Sequence, residues 1–425
     1  MCGIYYSNKI NKYNSTGLKR RGPEKWTEEQ NELGHFGHGL LSTIGEKTEQ
    51  PLHNSHGILL YNGSTYNQKS NDTKFISDNL NDKVEDCVEF IKTLKGEYAL
   101  IYNTEKFVVF GCDVFAVRPL YFYFDEQTIS VASYPQALEH HIAQYRCEGN
   151  KIYVYDKTTK HLRNVTNKEW NLIQNINNYD KVFENFEDAV QLRHTDNNMY
   201  TVSGGHDTGV IASCLEKKFK SFHGSFVFPH GEDESIMKER AIRHRLKPAN
   251  FKETEDLHTA EQVRQMLLRR NDESRNSYAS NGLTTIILKY MKPNNMKILV
   301  MGSGGDEIYA DYGFAGESID WHGAGGKKEQ ATDSKFGGHF PPNLELVWPW
   351  HNHVQYQSKF IEKHEAVGGY WGIEVRCPLL DADLVQSWLN TKHTLKNKEY
   401  KGWMAEYMRQ NNYPFSDKKK TIFAW

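Results

Sequence analysis

Two Ser-Gly-Gly turns constrain this chain more than any other feature. Ser203-Gly204-Gly205 follows the apolar run Met199 to Val202, and Ser303-Gly304-Gly305 follows Ile298 to Met301. Each precedes a stretch that reads as helix. Glycines at such turns let the backbone approach an anion closely, and the N–H groups opening the next helix face it. Short strands alternating with helices predict a parallel, doubly wound sheet. The helices are expected over Gly209 to Lys218, Ser235 to Arg245, Thr259 to Arg269 and Leu283 to Met291, with a further strand at Phe222 to Phe228. After Glu374 the chain reads as mostly helical.

The first 140 residues have a different rhythm. Strand-like runs at Gly57 to Tyr61, Tyr98 to Tyr102, Phe107 to Phe110 and Thr128 to Ala132 are separated by turn residues, with a modest helix over Lys83 to Leu94. A last strand, KIYVYD, ends at Asp156. This pattern predicts packed antiparallel sheets with helices. At 425 residues two domains are expected. They are taken as 2–165 and 180–425, with the boundary in the polar stretch at residues 160–182.

Bulk properties exclude some classes. Net charge is −2, which offers no basic footprint for nucleic acid or an anionic membrane. The longest apolar runs are strand-sized, far short of the roughly 20 residues of a membrane span. The start, MCGIYYSNKI, lacks the basic and apolar regions of a signal peptide. The six cysteines are scattered without a C-x-x-C pair, so neither zinc nor a disulfide framework is expected, and a reducing cytoplasm fits best.

Chemistry gathers at two places. Cys2 follows Met1, and removal of Met1 would leave a cysteine whose own α-amine, with a pKa of ~7.7–8.0, can act as base for its thiol. Behind it come Arg21-Gly22-Pro23, His38, Ser42, Asn62-Gly63, Tyr66-Asn67, Ser77-Asp78 and Arg118-Pro119-Leu120-Tyr121. In this order the blocks CGI, RGPE, NGSTYN, FISD and CDVFAVRPLY resemble class II glutamine amidotransferases over residues 2–140. The resemblance implies an Ntn-type αββα sandwich. It also implies Cys2 as nucleophile toward the glutamine amide, the Asn62 side chain and Gly63 N–H as oxyanion donors, and Asp78 as the holder of the glutamine α-ammonium.

The second place is the pair of glycine turns. SGGHDT carries no Walker lysine and resembles the pyrophosphate loop of ATP-pyrophosphatases. With GSGGDEIYADYGF, the block EVRCPLLD from Glu374 and the segment Lys418-Lys419-Lys420 before Phe423, it resembles asparagine synthetases over most of residues 185–423. The resemblance implies an adenine-nucleotide α-hydrolase-like domain that takes ATP. Ser203, Gly204, Gly205, Asp207 and Thr208 would cradle pyrophosphate, and Gly302 would face the nucleotide. Asp207 and Asp306 would hold Mg²⁺, and Lys420 would neutralise phosphate charge. The plainer reading of Asp306 is a helix cap, and of the lysine run a solvated tail. His206 reads as a spacer.

The implied reaction is glutamine-dependent, ATP-driven amide formation on a carboxylate through an acyl-adenylate, with ammonia passed between the two sites. Aspartate is the default acceptor, and the resemblance leaves room for a homodimer. Three departures keep a different acceptor, or a degenerate protein without catalysis, as alternatives. The family's carboxylate-gripping arginine falls on Leu40, with Arg20 or Arg21 as substitute cations. The glutamate after Asn-Gly falls on Ser64, and the glutamate of S-G-E-G falls on Ser303.

Overall fold

The computed structural model describes residues 1–10, 12–68, 71–138, 144–219, 221–227, 234–249, 262–263, 265–267, 282–318, 320–322, 328–330, 334–350 and 357–416. The chain divides into two compact units. The first comprises residues 1–169, 261–271 and 361–374; the second comprises 170–260, 272–360 and 375–425.

In the first unit the strands are β1 (Gly3–Ser7), β2 (Lys25–Asn31), β3 (Gly34–Leu40), β4 (Leu52–His53), β5 (Ile58–Thr65), β6 (Gly96–Asn103), β7 (Phe107–Cys112), β8 (Tyr121–Phe124), β9 (Ile129–Ala132), β10 (Tyr145–Arg146), β11 (Lys151–Asp156) and β12 (Leu162–Thr166). Among the described residues they form two six-stranded sheets, ordered β10-β8-β9-β1-β3-β2 and β12-β11-β7-β6-β5-β4. Among the described residues the pairings within them are antiparallel.

Side chains alternate across a strand, and here the alternation sorts residues into two cores. Ile58, Leu60, Ala99, Ile101, Val108 and Phe110 join Ile4, Tyr6, Phe36, Phe122 and Val131. Their sequence neighbours Leu59, Tyr61, Leu100, Tyr102 and Val109 point the other way, onto Ile76, Leu80, Val88 and Ile91. Those last residues belong to or flank α2 (Asp72–Asn79) and α3 (Val84–Lys92), whereas α1 (Thr16–Arg21) packs on β1 and β3. The second sheet is therefore apolar on both faces. Each fully buried aliphatic or aromatic side chain there contributes about 1.5–3 kcal/mol.

In the second unit β13 (Asn198–Val202), β14 (His223–Val227), β15 (Lys247–Ala249), β16 (Ile298–Val300) and β17 (Glu374–Arg376) form a sheet ordered β15-β14-β13-β16-β17. The pairs β13–β14, β13–β16 and β14–β15 are parallel. Helices α4 (Asp180–Arg193), α5 (His206–Lys218), α6 (Glu234–His244), α7 (Gly305–Tyr309) and α9 (Gly402–Gln410) interleave with it, whereas α8 (Gln357–Tyr370) belongs from residue 361 onward to the first unit. Glu374–Arg376 completes the sheet, and the described residues after it are mostly helical, as expected. The expected helix at 259–269 falls mostly outside the described residues.

Candidate functional site

Strand β1 begins at Gly3 and so fixes Cys2 at the end of the central region of the first sheet, with Gly3 opposite Gly39 and Ile4 opposite His38. From the other sheet β5 brings Asn62, and the Cys2 amide donates to Asn62 Oδ1 at 2.7 Å. That bond fixes which end of the Asn62 amide is oxygen. It leaves Asn62 Nδ2 buried without a hydrogen-bond partner among the described residues, a donor on the side chain that holds the Cys2 backbone. Gly63 has φ +135°, and a Cβ there would lie 2.1 Å from the Glu97 carbonyl oxygen. No other residue fits this position without moving β6.

The Cys2 thiol is buried, with Sγ 3.9 Å from the Leu41 carbonyl. Burial pushes its pKa up; the Met1 ammonium and the Leu41 hydrogen bond act against burial, and Glu374 adds to it. The thiol is thus held neutral and needs a base to become a nucleophile. Met1 is itself 1% exposed, and its ammonium lies 2.9 Å from Glu374 Oε2.

Arg21, expected to touch glutamine, is otherwise engaged. Its Nε donates to the Cys2 carbonyl at 2.7 Å, and Nη1 donates to Tyr134 at 2.9 Å and to Glu365 at 2.8 Å. Its Nη2 is bound to the second Glu365 oxygen. The fork is filled by a bidentate carboxylate, so Arg21 clamps the Cys2 backbone rather than presenting a cation to a ligand. Arg20 lies over the Tyr370 ring at 4.3 Å. Leu40 is buried on β3.

Asp78 does not join the site either, because it sits exposed near the end of α2. The acid on the inner side is Asp72, in the first turn of the same helix. Its Oδ2 accepts from Thr65 N at 3.4 Å, and its carboxyl is pushed up by burial while feeling both Glu374 and the Met1 ammonium. Ser64 donates to Glu374 Oε1 at 3.2 Å. His38 is fully buried, neither ring nitrogen has a partner among the described residues, and burial, aided by the Met1 ammonium, pushes it down to about 3.

In the second unit the two glycine turns leave the carboxyl ends of β13 and β16, which are neighbours. From β13 the strand order runs outward through β14 to β15 on one side, and the next strand of the sheet, β16, lies on the other side, so β13 and β16 flank a switch point of the kind at which parallel α/β sheets bind ligands. Within the first turn Ser203 N donates to Thr208 Oγ1 at 2.8 Å, the two hydroxyls are 2.8 Å apart, and Gly205 N donates to Ser203 Oγ at 3.2 Å. Arg240 of α6, wholly buried, ties the turn from behind by donating to the carbonyls of Ser203 and Gly205.

The second turn approaches so closely that a Cβ on Gly305 would lie 2.2 Å from Asp207 Oδ1, and one on Gly302 3.0 Å from Asp207 Cβ. Asp207 and Asp306 converge on the Lys401 ammonium, which donates to Asp207 and lies 2.6 Å from Asp306 Oδ1. Lys401 is 3% exposed and has φ +47° immediately before α9. Burial opposes its charge, but the two carboxylates outweigh burial and hold it protonated well above the usual lysine range. The convergence fits a divalent ion carried with phosphates, since Mg²⁺ takes one or two carboxylates in such sites. Among the described residues no cluster of three His, Cys, Asp or Glu exists to hold a metal by protein ligands alone. Lys420 lies outside the described residues. Sequence reasoning did not single out Lys401, Arg240, Glu365 or Asp72.

Residues 1–178 match the family described as "Glutamine amidotransferase domain". No curated protein matches the chain. Among solved structures it is similar to the glutamine phosphoribosylpyrophosphate amidotransferase from B. subtilis complexed with ADP and GMP. The identity is 14% and the TM-score 0.32, over 69% of this chain and 94% of that one. A second, titled the allosteric regulatory enzyme of purine biosynthesis, gives 14% identity and a TM-score of 0.31 over 79% and 98%. Neither structural likeness is strong enough to carry an argument.

Proposed function

Residues 1–178 carry a glutamine amidotransferase domain, and on that premise we propose that the chain is an ATP-dependent amidotransferase of the asparagine synthetase type. The observation that carries the donor half is Asn62, whose oxygen holds the Cys2 backbone while its Nδ2 is left as a buried donor without a partner among the described residues. Once Met1 is removed, the Cys2 amine takes the thiol proton and the thiolate attacks the side-chain amide carbon of glutamine. Asn62 Nδ2 and Gly63 N–H stabilise the oxyanion. Collapse expels ammonia and leaves a thioester, which water hydrolyses to glutamate.

The acceptor half rests on Ser203, Gly204, Gly205 and Thr208 meeting Asp207 and Asp306 at the switch point. ATP is bound there with its phosphates on the first turn. A divalent ion, when bound to Asp207 and Asp306, supplies charge neutralisation at the departing pyrophosphate. The acceptor carboxylate attacks the α-phosphorus, pyrophosphate leaves, and ammonia displaces AMP from the acyl-adenylate. Aspartate is the default acceptor. Ser303, half-buried in the second turn where the resembling family has glutamate, favours a second reading with a different carboxylate.

Incubating the protein with ATP, Mg²⁺, glutamine and a panel of carboxylic acids tests this. AMP, pyrophosphate and glutamate are expected in equal amounts with one acid. Stoichiometric ADP, or glutamate formed with no nucleotide cleavage for any acid, sinks the acceptor half.

A further inference from the structure

The first unit gathers acceptors around the Met1 ammonium. Glu374 is 0% exposed. Its Oε2 lies 2.9 Å from the Met1 ammonium and accepts from Thr43 Oγ1 at 3.3 Å. Its Oε1 accepts from Ser64 Oγ at 3.2 Å and stands 3.7 Å from Arg118 Nη2. The Leu41 carbonyl adds a second acceptor for the ammonium, at 3.3 Å. Asp72 acts on the same ammonium through space. Arg118 does not discharge Glu374 alone, because it also pairs with Glu97 at 3.3 Å.

The group held there is the ammonium of an unbranched α-amino acid, one residue from the Cys2 thiol. Ser64 is where the resembling sequences carry a glutamate; here the Ser64 hydroxyl points to Glu374, which brings a carboxylate to that place from 310 positions along the chain. With Met1 gone, Glu374 Oε2 loses its contact with this ammonium, and the vacated space has the dimensions of one methionine. A glutamine molecule is of similar length and carries the same ammonium.

We propose that Glu374, seconded by Asp72, reads the α-ammonium of the amide donor and makes the site selective for α-amino acid amides. The proposal rests on the amidotransferase reading above. It accounts for donor recognition at a site where Leu40 offers no cation for a carboxylate: selectivity is carried by the ammonium end.

The test compares glutamine with 4-carbamoylbutanoate, the same amide without the α-ammonium, as substrates of the full chain with Met1 loss verified by mass. The wild type is expected to favour glutamine by at least tenfold in kcat/KM. Glu374→Gln is expected to raise KM for glutamine by about ten- to a hundredfold and to bring the preference toward unity, with Glu374→Asp intermediate. If Glu374→Gln is folded by circular dichroism and keeps the preference, the proposal is overturned. It is also overturned if the variant instead shifts the pH profile of kcat, since Glu374 would then serve the Cys2 amine. Should Glu374→Gln not fold, the wild type decides: equal use of both amides refutes the proposal. Hydrolysis of neither amide refutes the donor reading itself.

Discussion

The Lys401 ammonium is shared by Asp207 and Asp306, which stand at the ends of two neighbouring parallel strands. The three groups form one charge unit, and a divalent cation bound as proposed would compete with the lysine for the same carboxylates. Lys401→Met leaves two mostly buried carboxylates facing each other. In metal-free buffer it is expected to lower stability by about 3–5 kcal/mol, the cost of an orphaned buried charge. Mg²⁺ should restore part of that loss in the variant and change the wild type little. Urea denaturation with and without Mg²⁺ reads both effects, and a variant indifferent to Mg²⁺ contradicts the shared-site account.

Asn62→Ala removes the unpartnered Nδ2 donor. Loss of one oxyanion donor elsewhere costs about 10²–10³ in kcat, and a loss of that size is expected for glutamine hydrolysis. Product formation from ammonium salts should survive, as it should in Cys2→Ala, because the proposed adenylation uses residues of the other unit. A variant that loses ammonium-supported turnover while still folded would argue against separate donor and acceptor chemistry.

Arg21→Met strips Glu365 of its bidentate partner and Cys2 of the donor on its carbonyl. Stability should fall by about 3–5 kcal/mol, and the double variant Arg21→Met/Glu365→Leu should recover much of it. Were Arg21 a glutamine ligand instead, the single variant would raise KM for glutamine and melt like the wild type.

His38 gives the fold a pH dependence of known sign. Its pKa is near 6.5 when unfolded and pushed down to about 3 when buried, so between those values the unfolded chain binds the extra proton. Stability therefore declines as pH falls from about 6.5 toward 3. His38→Leu should flatten that stretch of the profile by up to a few kcal/mol, measured by urea midpoints across pH. An unchanged slope would mean that His38 is protonated in the fold.

Much of the fold was legible because strand alternation is local. The runs at Gly57 to Tyr61, Tyr98 to Tyr102 and Phe107 to Phe110 sit inside observed strands or overlap them, and both glycine turns join a strand to a helix. Cys2, Asn62 and Gly63 could be read from their own neighbourhoods, and the structure brings them together. Asp72 was missed in favour of Asp78, six residues on. That spacing places the two about 120° apart around a helix, and only packing against β5 reveals which side faces inward. Lys401 reads as an ordinary surface lysine, since nothing adjacent to it predicts burial. Glu365 and Glu374 meet Arg21 and Met1 across 344 and 373 positions, and no periodicity reports a contact of that range.

Those two glutamates also bear on how the chain can be dissected. The amidotransferase match ends at residue 178, but the compact unit that contains Cys2 includes residues 361–374. A fragment cut at 178 would keep Arg21 in a fully buried position and discard the carboxylate that neutralises it. Its Arg118 would likewise retain Glu97 but lose Glu374. The isolated fragment should be insoluble or molten, and adding a synthetic peptide spanning 357–376 should restore its order. Homology and autonomy have different borders in this protein: the segment that completes the first unit is encoded after most of the second.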